Sequence, residues 1–539
     1  MSTSAASTMS PSMKKSLLAI LFLLPWFSLY SKILFPSLAQ AGFESSVIII
    51  MQLIFVIFVI TFCQQPRITK SGAVFATAII AWQISGLISG YLSDHFHASL
   101  IKQIEIFIHC LTGYAAWVLL TETKRNEQFI FALCITLAWV LYYVLAKWHS
   151  TEDAVDFDWA KRTPLFNNIR HSGFILAAIF PLLYFPLIRK VNHYYLITLG
   201  LLTAYWTFVL WSGSRGTFIA SLISSGITYI AFPKIRKQLF SISVIAFLLG
   251  WLFSISAMAN NGSVNPFRLL YLDFFAASKE LATHSINSGR AGIWSETLNA
   301  VWDKNIWFGL GPNGYQFITP HIWRDTVQPH SAPVQLFTEY GVFGFTILFA
   351  ILILFIINWI KHPGNSGHKI ARIALTCLCL ASATDGHFFY NSSLMLIALI
   401  SALSFSPYSQ TQKSSYFKIL LLGPALLLLI PIKNHWATFI EQQFSLTESS
   451  QLETVKSFPS YYRPMDWLYA YDSDSELRSQ AIDFGKSHGP NKCHYHLMEY
   501  FESNDDPRLL EPIKEVCATY MLRRTSRIEL IKIAKERGE

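Results

Sequence analysis

The chain has 539 residues, of which 52% are hydrophobic and only 14% are charged, and its mean hydropathy is +0.37. A typical soluble protein carries about 25% charged residues, so this composition excludes an ordinary soluble domain and predicts a membrane protein. The net charge of +9 is what short basic loops between membrane helices produce, and it is no evidence for nucleic-acid binding.

Apolar stretches recur along the chain as far as Pro431. Each is close to the ~20 residues that an α-helix needs to cross a bilayer. We therefore predict an all-α, polytopic integral membrane protein of about 12–13 transmembrane helices. The thirteen predicted spans are residues 16–35, 46–63, 72–92, 103–121, 129–147, 173–188, 194–212, 216–232, 239–257, 342–360, 370–387, 391–406 and 416–432.

The loops between alternate spans are short and basic, as in PRITK (66–70) and PKIRK (233–237), which predicts that they face the cytoplasm. Residues 1–15 are then a disordered cytoplasmic segment, and 16–432 form the transmembrane domain. The loop 258–341 is large and extracytoplasmic. Lys14, Lys15 and Ala39-Gln40-Ala41 also resemble a signal peptide, and either cleavage or a retained first span leaves the remaining topology unchanged.

Beyond the last span, residues 433–539 carry clustered charges and four helical patterns, which predict a small helical domain on the extracytoplasmic side. Cys493 and Cys517 are the only cysteines of this segment. A disulfide between them and two buried thiols are both compatible with an oxidising compartment. The other five cysteines lie in or beside the spans, where they are most simply apolar filler.

Three arginines are predicted on the extracytoplasmic face. Arg215 lies in SGSRG at a helix junction between Gly213 and Gly216, Arg290 lies in the long loop, and Arg170 lies in FNNIRHSGF. Guanidinium groups bind phosphate oxygens in pairs, and a helix N-terminus adds oriented N–H donors. A lone interfacial arginine more often extends its charge to the lipid surface, but three on one face would suit a diphosphate.

The polar stretch 288–344 also contains a histidine and a glutamate between apolar helices. His330 follows Pro329, and its imidazole could take a proton from an attacking hydroxyl, although a structural role is the common alternative. Glu339 precedes Gly341 and could orient a partner or play a structural part. Asp385 and Tyr390, in TDGHFFYN, lie at another helix end on the same face. The outer loops show no clustered metal-ligand set, so we predict no metal and no cofactor.

Four motifs, in this order, resemble the O-antigen ligase superfamily of bacterial envelope proteins: SGSRG before a helix, GR-x-x-x-W, G-x-G-x-x-G and H-S-x-x-x-Q-x-x-x-E-x-G-x-x-G. The resemblance spans residues 166–344. It implies a glycosyltransferase C-like (GT-C-like) ligase architecture, an undecaprenyl-diphosphate-linked oligosaccharide donor and metal-independent, inverting transfer. Arg215 and Arg290 match the family's diphosphate binders, and His330 matches its base. Ser331 stands where the family usually has asparagine.

Two further segments, FPSLAQAGFES (35–45) and FNNIRHSGF (166–174), are similar to motifs of the O-linking oligosaccharyltransferases that glycosylate type IV pilins. That branch also carries an outer C-terminal domain. The resemblance implies a serine or threonine of an exported protein as acceptor, and a site facing the periplasm from the bacterial inner membrane. The lipid A core as acceptor, an O-antigen polymerase and, more distantly, a transporter of lipid-linked glycans are the alternatives. Transporters commonly place charges near the midplane, whereas these candidates lie at one face.

Overall fold

A computed structural model of the chain describes residues 11–34, 43–63, 70–93, 96–151, 154, 172–190, 194–256, 290–317, 328–386, 388, 390–405, 479, 483, 486, 499 and 508. Several sequence predictions lie outside these residues. They are Arg170, Cys493 and Cys517, the last predicted span 416–432, the loop residues 258–289 and, apart from the five single positions, the C-terminal segment 433–539.

The described part of the chain is helical and contains no β-strand. Short 3-10 segments join some of the α-helices at Phe180–Tyr184, Pro233–Ile235 and Gly314–Phe317. The α-helices are α1 (Pro11–Leu34), α2 (Phe43–Phe62), α3 (Lys70–Tyr91), α4 (Phe96–Thr123), α5 (Asn126–His149), α6 (Ser172–Ile179), α7 (Phe185–Arg189), α8 (Tyr195–Ser212), α9 (Arg215–Ala231), α10 (Arg236–Ser256), α11 (Arg290–Asn305), α12 (Ala332–Lys361), α13 (Ser366–Ser382) and α14 (Asn391–Ser404).

Among the described residues, six helical stretches are long and apolar enough to cross a membrane, namely α3, α4, α5, α8, α12 and residues 233–255 around α10. Every predicted span before residue 406 overlaps a helix of the structure. On α12 the side chains of Phe349, Ile353, Ile356 and Ile360 are exposed, as expected of a surface that faces lipid. The prediction of an all-α, multi-pass membrane protein is confirmed.

The predicted span 173–188 is not one continuous helix. It divides into α6, the 3-10 turn and α7, because Pro181 and Pro186 lack the backbone donor that a continuous helix requires. This broken segment lies in the protein core, where it packs against α8 and α13 and its side chains from Ile179 to Leu187 are buried. The ring of Phe180 stacks on Tyr205, with centroids 4.3 Å apart.

Helix α12 begins earlier than the sequence predicted, at Ala332 instead of residue 342. Ser331 caps its N-terminus and Pro333 occupies its first turn, both of which favour helix initiation. The backbone leaves the helical conformation at Gly341, where φ is 61° and ψ is −167°. Within its described residues, the predicted loop 258–341 therefore contains α11, the 3-10 segment Gly314–Phe317 and the first turns of α12. Helix α1 likewise begins at Pro11, within the segment predicted to be disordered.

The break at Gly341 is filled by backbone from residues 306–311. Four hydrogen bonds join the two segments: Leu310 N to Thr338 O (2.8 Å), Gly311 N to Glu339 O (3.0 Å), Val342 N to Ile306 O (2.9 Å) and Phe343 N to Trp307 O (3.1 Å). A side chain at Gly341 would place its Cβ 2.5 Å from the Gly309 amide nitrogen. The G-x-G-x-x-G motif thus packs backbone against backbone and satisfies the groups that the break releases.

Candidate active site

Two arginine-bearing helices begin at the same place in the structure. Arg290 is the first residue of α11, and its Nη1 donates a hydrogen bond to the carbonyl of Thr384. Arg215 is the first residue of α9, and the next residue, Gly216, lies so close to Thr384 that a Cβ there would collide with the threonine hydroxyl. The first turn of α9, which carries Arg215, and the Arg290 side chain of α11 therefore both lie against Thr384.

The start of α9 is shaped by the short SGSRG turn. Helix α8 ends at Gly213, which adopts the left-handed conformation with φ at 65°. The N-cap residue Ser214 makes no side-chain hydrogen bond to the helix backbone, and its hydroxyl instead contacts Thr217 Oγ1 at 2.9 Å. The amides of the first turn are consequently not capped by that side chain, and the dipole of α9 presents positive charge beside Arg215.

His330 lies in the turn that precedes α12. Its φ is 53°, a left-handed conformation that is uncommon for residues other than glycine. The imidazole Nδ1 lies 3.6 Å from Oδ1 of Asp385, and both side chains are partly exposed. Asp385 Oδ1 also accepts a hydrogen bond of 2.8 Å from the amide of Gly386, which orients the carboxylate. The structure thus pairs the predicted base with a carboxylate from a distant segment of the chain.

One face of α11 binds the backbone next to both His330 and Asp385. Arg290 and Trp294 are four residues apart, so their side chains lie on the same side of the helix. Trp294 Nε1 donates to the carbonyl of Pro329 at 2.8 Å, just as Arg290 donates to the carbonyl of Thr384. These carbonyls belong to the residues immediately before His330 and Asp385. The GR-x-x-x-W motif therefore joins the two chain segments that carry the pair.

Tyr390 is also at this site. Its hydroxyl accepts a 3.4 Å hydrogen bond from Nε2 of Gln328, a buried residue two positions before His330. Gln328 also packs directly against Gly386, where any side chain would overlap it. Tyr390 and Asp385 therefore border the His330 turn from the same loop. Arg170 lies outside the described residues, although the nearby Gly173 packs against Ser214 and Thr217.

Glu339 lies elsewhere. It is buried in the first part of α12, about 12 Å along the helix from Ser331 at a rise of 1.5 Å per residue. Its carboxylate accepts from Gln335 Nε2 at 3.2 Å, and its carbonyl accepts from Ser89 Oγ at 2.7 Å. The first contact lies within α12, and the second ties α12 to α3 next to the break at Gly341. Its surroundings are those of a structural residue.

A comparison with protein families now bears on this arrangement. The family model described as O-antigen ligase matches residues 198–349. The chain contains an O-antigen ligase domain. The superfamily predicted from the four motifs is thereby confirmed. A comparison with curated protein sequences gives no match.

The matched residues of the O-antigen ligase domain run from α8 into α12, so they include Arg215, Arg290 and His330. Asp385 and Tyr390 follow the matched part of the chain. The domain supports glycosyl transfer in general, from a lipid-linked oligosaccharide to an acceptor, in a multi-pass membrane protein.

Sequence reasoning missed several residues that hold the site together. Trp294 and Gln328 were not candidates, and nothing pointed to the carbonyl of Thr384. The spacing of GR-x-x-x-W was a usable signal, since residues four apart share a helix face. Within the described residues, no group of three or more His, Cys, Asp or Glu side chains could hold a metal ion.

Proposed function

We propose that the chain transfers an oligosaccharide from undecaprenyl diphosphate to a serine or threonine hydroxyl of an exported protein such as a pilin, at the periplasmic face of the bacterial inner membrane. The observation that carries this proposal is the meeting of two arginine-bearing helix starts at Thr384, directly beside the pair formed by His330 and Asp385. Binding groups for a diphosphate and a base for a hydroxyl are thus adjacent.

The donor diphosphate binds between Arg215 and Arg290. Each guanidinium is planar and can contact two phosphate oxygens at once. An arginine has five N–H donors, so the bond from Arg290 to Thr384 uses only part of its capacity and fixes its direction. The N-terminus of α9 adds backbone N–H donors of the kind that bind phosphate in many proteins.

The acceptor hydroxyl is activated by His330. With Asp385 on the Nδ1 side of the ring, Nε2 is the nitrogen that takes the hydroxyl proton. The carboxylate then stabilises the imidazolium that forms, as the acid does in other histidine–carboxylate pairs. The 3.6 Å separation is longer than a hydrogen bond, and such contacts shorten when a substrate fills the site.

The reaction then proceeds in one displacement. The acceptor oxygen forms a bond to the anomeric carbon while the bond from that carbon to the diphosphate oxygen breaks, which inverts the configuration. The proton goes to His330, and the electron pair of the broken bond leaves on undecaprenyl diphosphate. Arg215 and Arg290 stabilise the charge that develops there, an electrostatic role like that of an oxyanion hole. We expect transfer to continue in the presence of a metal chelator.

A protein acceptor is favoured over the lipid A core by sequence features. They are the segments FPSLAQAGFES and FNNIRHSGF and the polar segment 433–539 after the last predicted span. In that segment, Lys486 Nζ forms an ion pair of 2.7 Å with Glu499 Oε1. That pair joins two of the predicted helical patterns, 474–487 and 491–503.

The test is transfer by the purified full-length protein from a defined undecaprenyl-diphosphate glycan, with a pilin and a lipid A core acceptor both present. We expect a pilin whose mass increases by one glycan on serine or threonine. His330→Ala should lower the rate at least about 100-fold, the usual contribution of a general base. His362→Ala, a histidine change at the other end of α12, is the matched control and should leave transfer unchanged.

Other products would contradict the proposal in different ways. Glycan on lipid A alone would make the protein a lipopolysaccharide ligase, and longer lipid-linked chains with no glycan on either acceptor would make it a polymerase. Full activity in His330→Ala would show that His330 is not the general base. Loss of activity on chelation, restored by a divalent ion, would overturn metal-independent transfer.

A further inference from the structure

A buried polar cluster lies between α4 and α14, outside the residues matched to the ligase family. Lys102, Glu105 and His109 of α4 follow each other at intervals of three and four residues and so share one face of this helix. They surround the side chain of Asn391, the first residue of α14. Glu105, His109 and Asn391 are each less than 8% exposed.

The described hydrogen bonds of this cluster reach the Asn391 amide or the ion pair beside it. The distances are 3.0 Å from Lys102 Nζ to Asn391 Oδ1, 3.0 Å from Lys102 Nζ to Glu105 Oε2, 3.1 Å from Asn391 Nδ2 to Glu105 Oε2 and 3.3 Å between His109 Nε2 and Asn391 Oδ1. The cation binds the amide oxygen and the carboxylate binds the amide nitrogen. Only one orientation of the Asn391 amide satisfies both contacts. Because Asn391 is the first residue of α14, that orientation holds the start of α14 beside this face of α4.

Such a cluster is a costly way to pack two helices. Charged groups in membrane helices are rare, and replacing a buried ion pair by apolar residues often leaves a protein equally stable or more so. Compared with apolar packing, the cluster positions the helix more strictly, because hydrogen bonds fix the height and rotation of a helix end, whereas apolar contacts allow it to slide. The helix end that it positions is the start of α14, where the loop from Thr384 ends.

The loop from Thr384 to Asn391 carries both Asp385 and Tyr390, and it is held at each end. At its beginning, Arg290 binds the carbonyl of Thr384. At its end, the cluster on α4 binds Asn391. Between these two points the described residues of the loop contact the His330 turn through Asp385, through the packing of Gly386 on Gln328 and through the bond from Gln328 to Tyr390.

We propose that Lys102, Glu105 and Asn391 are positioning residues for glycosyl transfer, which hold the Thr384–Asn391 loop so that Asp385 and Tyr390 face His330. The inference rests on the function proposed above and adds α4 to the machinery of the site. The described hydrogen bonds of the three residues lie within the cluster. The residues act through the loop, so their removal lowers the rate of the transfer step more than the binding of the donor.

The test uses the full-length double variant Lys102→Met/Glu105→Gln. Removing both charges leaves neither ion of this pair without its partner, whereas either single change would. We expect kcat to fall about 10- to 100-fold, the effect of a misplaced catalytic group, with KM for the lipid-linked donor unchanged within about twofold. Amide hydrogen exchange in a peptide covering residues 383–391 should become faster.

Two further variants make the result decisive. Asn391→Leu keeps the ion pair but removes the amide, so it should reproduce the loss of kcat even if the double variant fails to fold. Tyr184→Phe is the control: it removes buried hydrogen bonds to Ser225 and Ser243 that do not reach the loop, and it should alter neither kcat nor exchange at 383–391.

The outcomes separate this inference from the proposed function. Full kcat in Asn391→Leu, while His330→Ala is inactive, would overturn the positioning role alone. A parallel rise in KM and fall in kcat, equal in Tyr184→Phe, would show a general loss of structure and also overturn it. No transfer by the wild-type protein, with faster exchange at 383–391 in the double variant, would overturn the proposed function and leave the loop anchor in place.

Discussion

Nδ1 of His330 lies 3.6 Å from Oδ1 of Asp385, although the two residues belong to different turns at the ends of α12 and α13. Helix α11 binds the backbone carbonyl just before each of them. Trp294 donates to the carbonyl of Pro329, and Arg290 donates to the carbonyl of Thr384. The pair is thus assembled by one helix face. Arg290 accordingly has two tasks in the proposed site, since it contributes charge for the diphosphate and fixes the backbone beside Asp385.

Replacing Asp385 by asparagine should slow transfer while preserving donor binding. The amide has nearly the same shape but cannot stabilise a protonated imidazole, so we expect kcat to fall about 100-fold. KM for the lipid-linked donor should stay within about twofold, because the diphosphate is assigned to Arg215 and Arg290. Initial rates across donor concentrations measure both constants. A change confined to KM would place Asp385 in donor binding instead.

Trp294→Phe should loosen the position of the His330 turn while it keeps an aromatic ring in the packing. The change removes the 2.8 Å bond to the carbonyl of Pro329, a net cost of about 1 kcal/mol, and we expect kcat to fall about 10-fold. Trp302→Phe, on the same helix but 72% exposed, is the matched control. Thermal unfolding in detergent and the transfer rate should both remain at wild-type values in that control, and equal losses in the two variants would contradict the explanation.

Gly341→Ala should be severely destabilising. An L-residue at φ 61° and ψ −167°, a region that almost only glycine occupies, costs about 1–3 kcal/mol, and the added methyl would also press on the amide of Gly309 at 2.5 Å. We expect a total loss of at least about 3 kcal/mol in the free energy of unfolding, measured by denaturation in detergent. Gly200→Ala, at a helical position with no atom within 4 Å of the new Cβ, should be neutral or slightly stabilising.

Ser331 should be replaceable by asparagine but not by alanine. Its hydroxyl accepts from the amide of Val334 at the start of α12, and asparagine caps helices equally well. We expect Ser331→Ala to cost about 1 kcal/mol of stability and Ser331→Asn to cost almost nothing. Equal unfolding midpoints for all three proteins would disprove the capping role. This interpretation also explains why serine occupies a position at which the family usually has asparagine.

The sequence by itself determined the class of the protein and predicted several residues of the candidate site. In a bilayer, the backbone N–H and C=O groups of a long apolar stretch are satisfied when the stretch forms a helix. The composition was therefore enough to predict an all-α, multi-pass protein. The ordered motifs carried the ligase domain, and Arg215, Arg290 and His330 stood out because charged and titratable groups beside apolar helices are costly to keep. Glu339 stood out for the same reason, yet its carboxylate lies in the structural contacts beside the break in α12.

Only the tertiary structure decided which of these groups meet. The contacts of Arg290 with Thr384, His330 with Asp385 and Lys102 with Asn391 join segments that are far apart in the chain, and no local pattern encodes such distances. The same holds for the start of α12 at Ala332, since the break at Gly341 is stable only because residues 306–311 satisfy its backbone groups. Periodicity reports the face that a residue occupies within its own helix, whereas its partner depends on how separate helices pack.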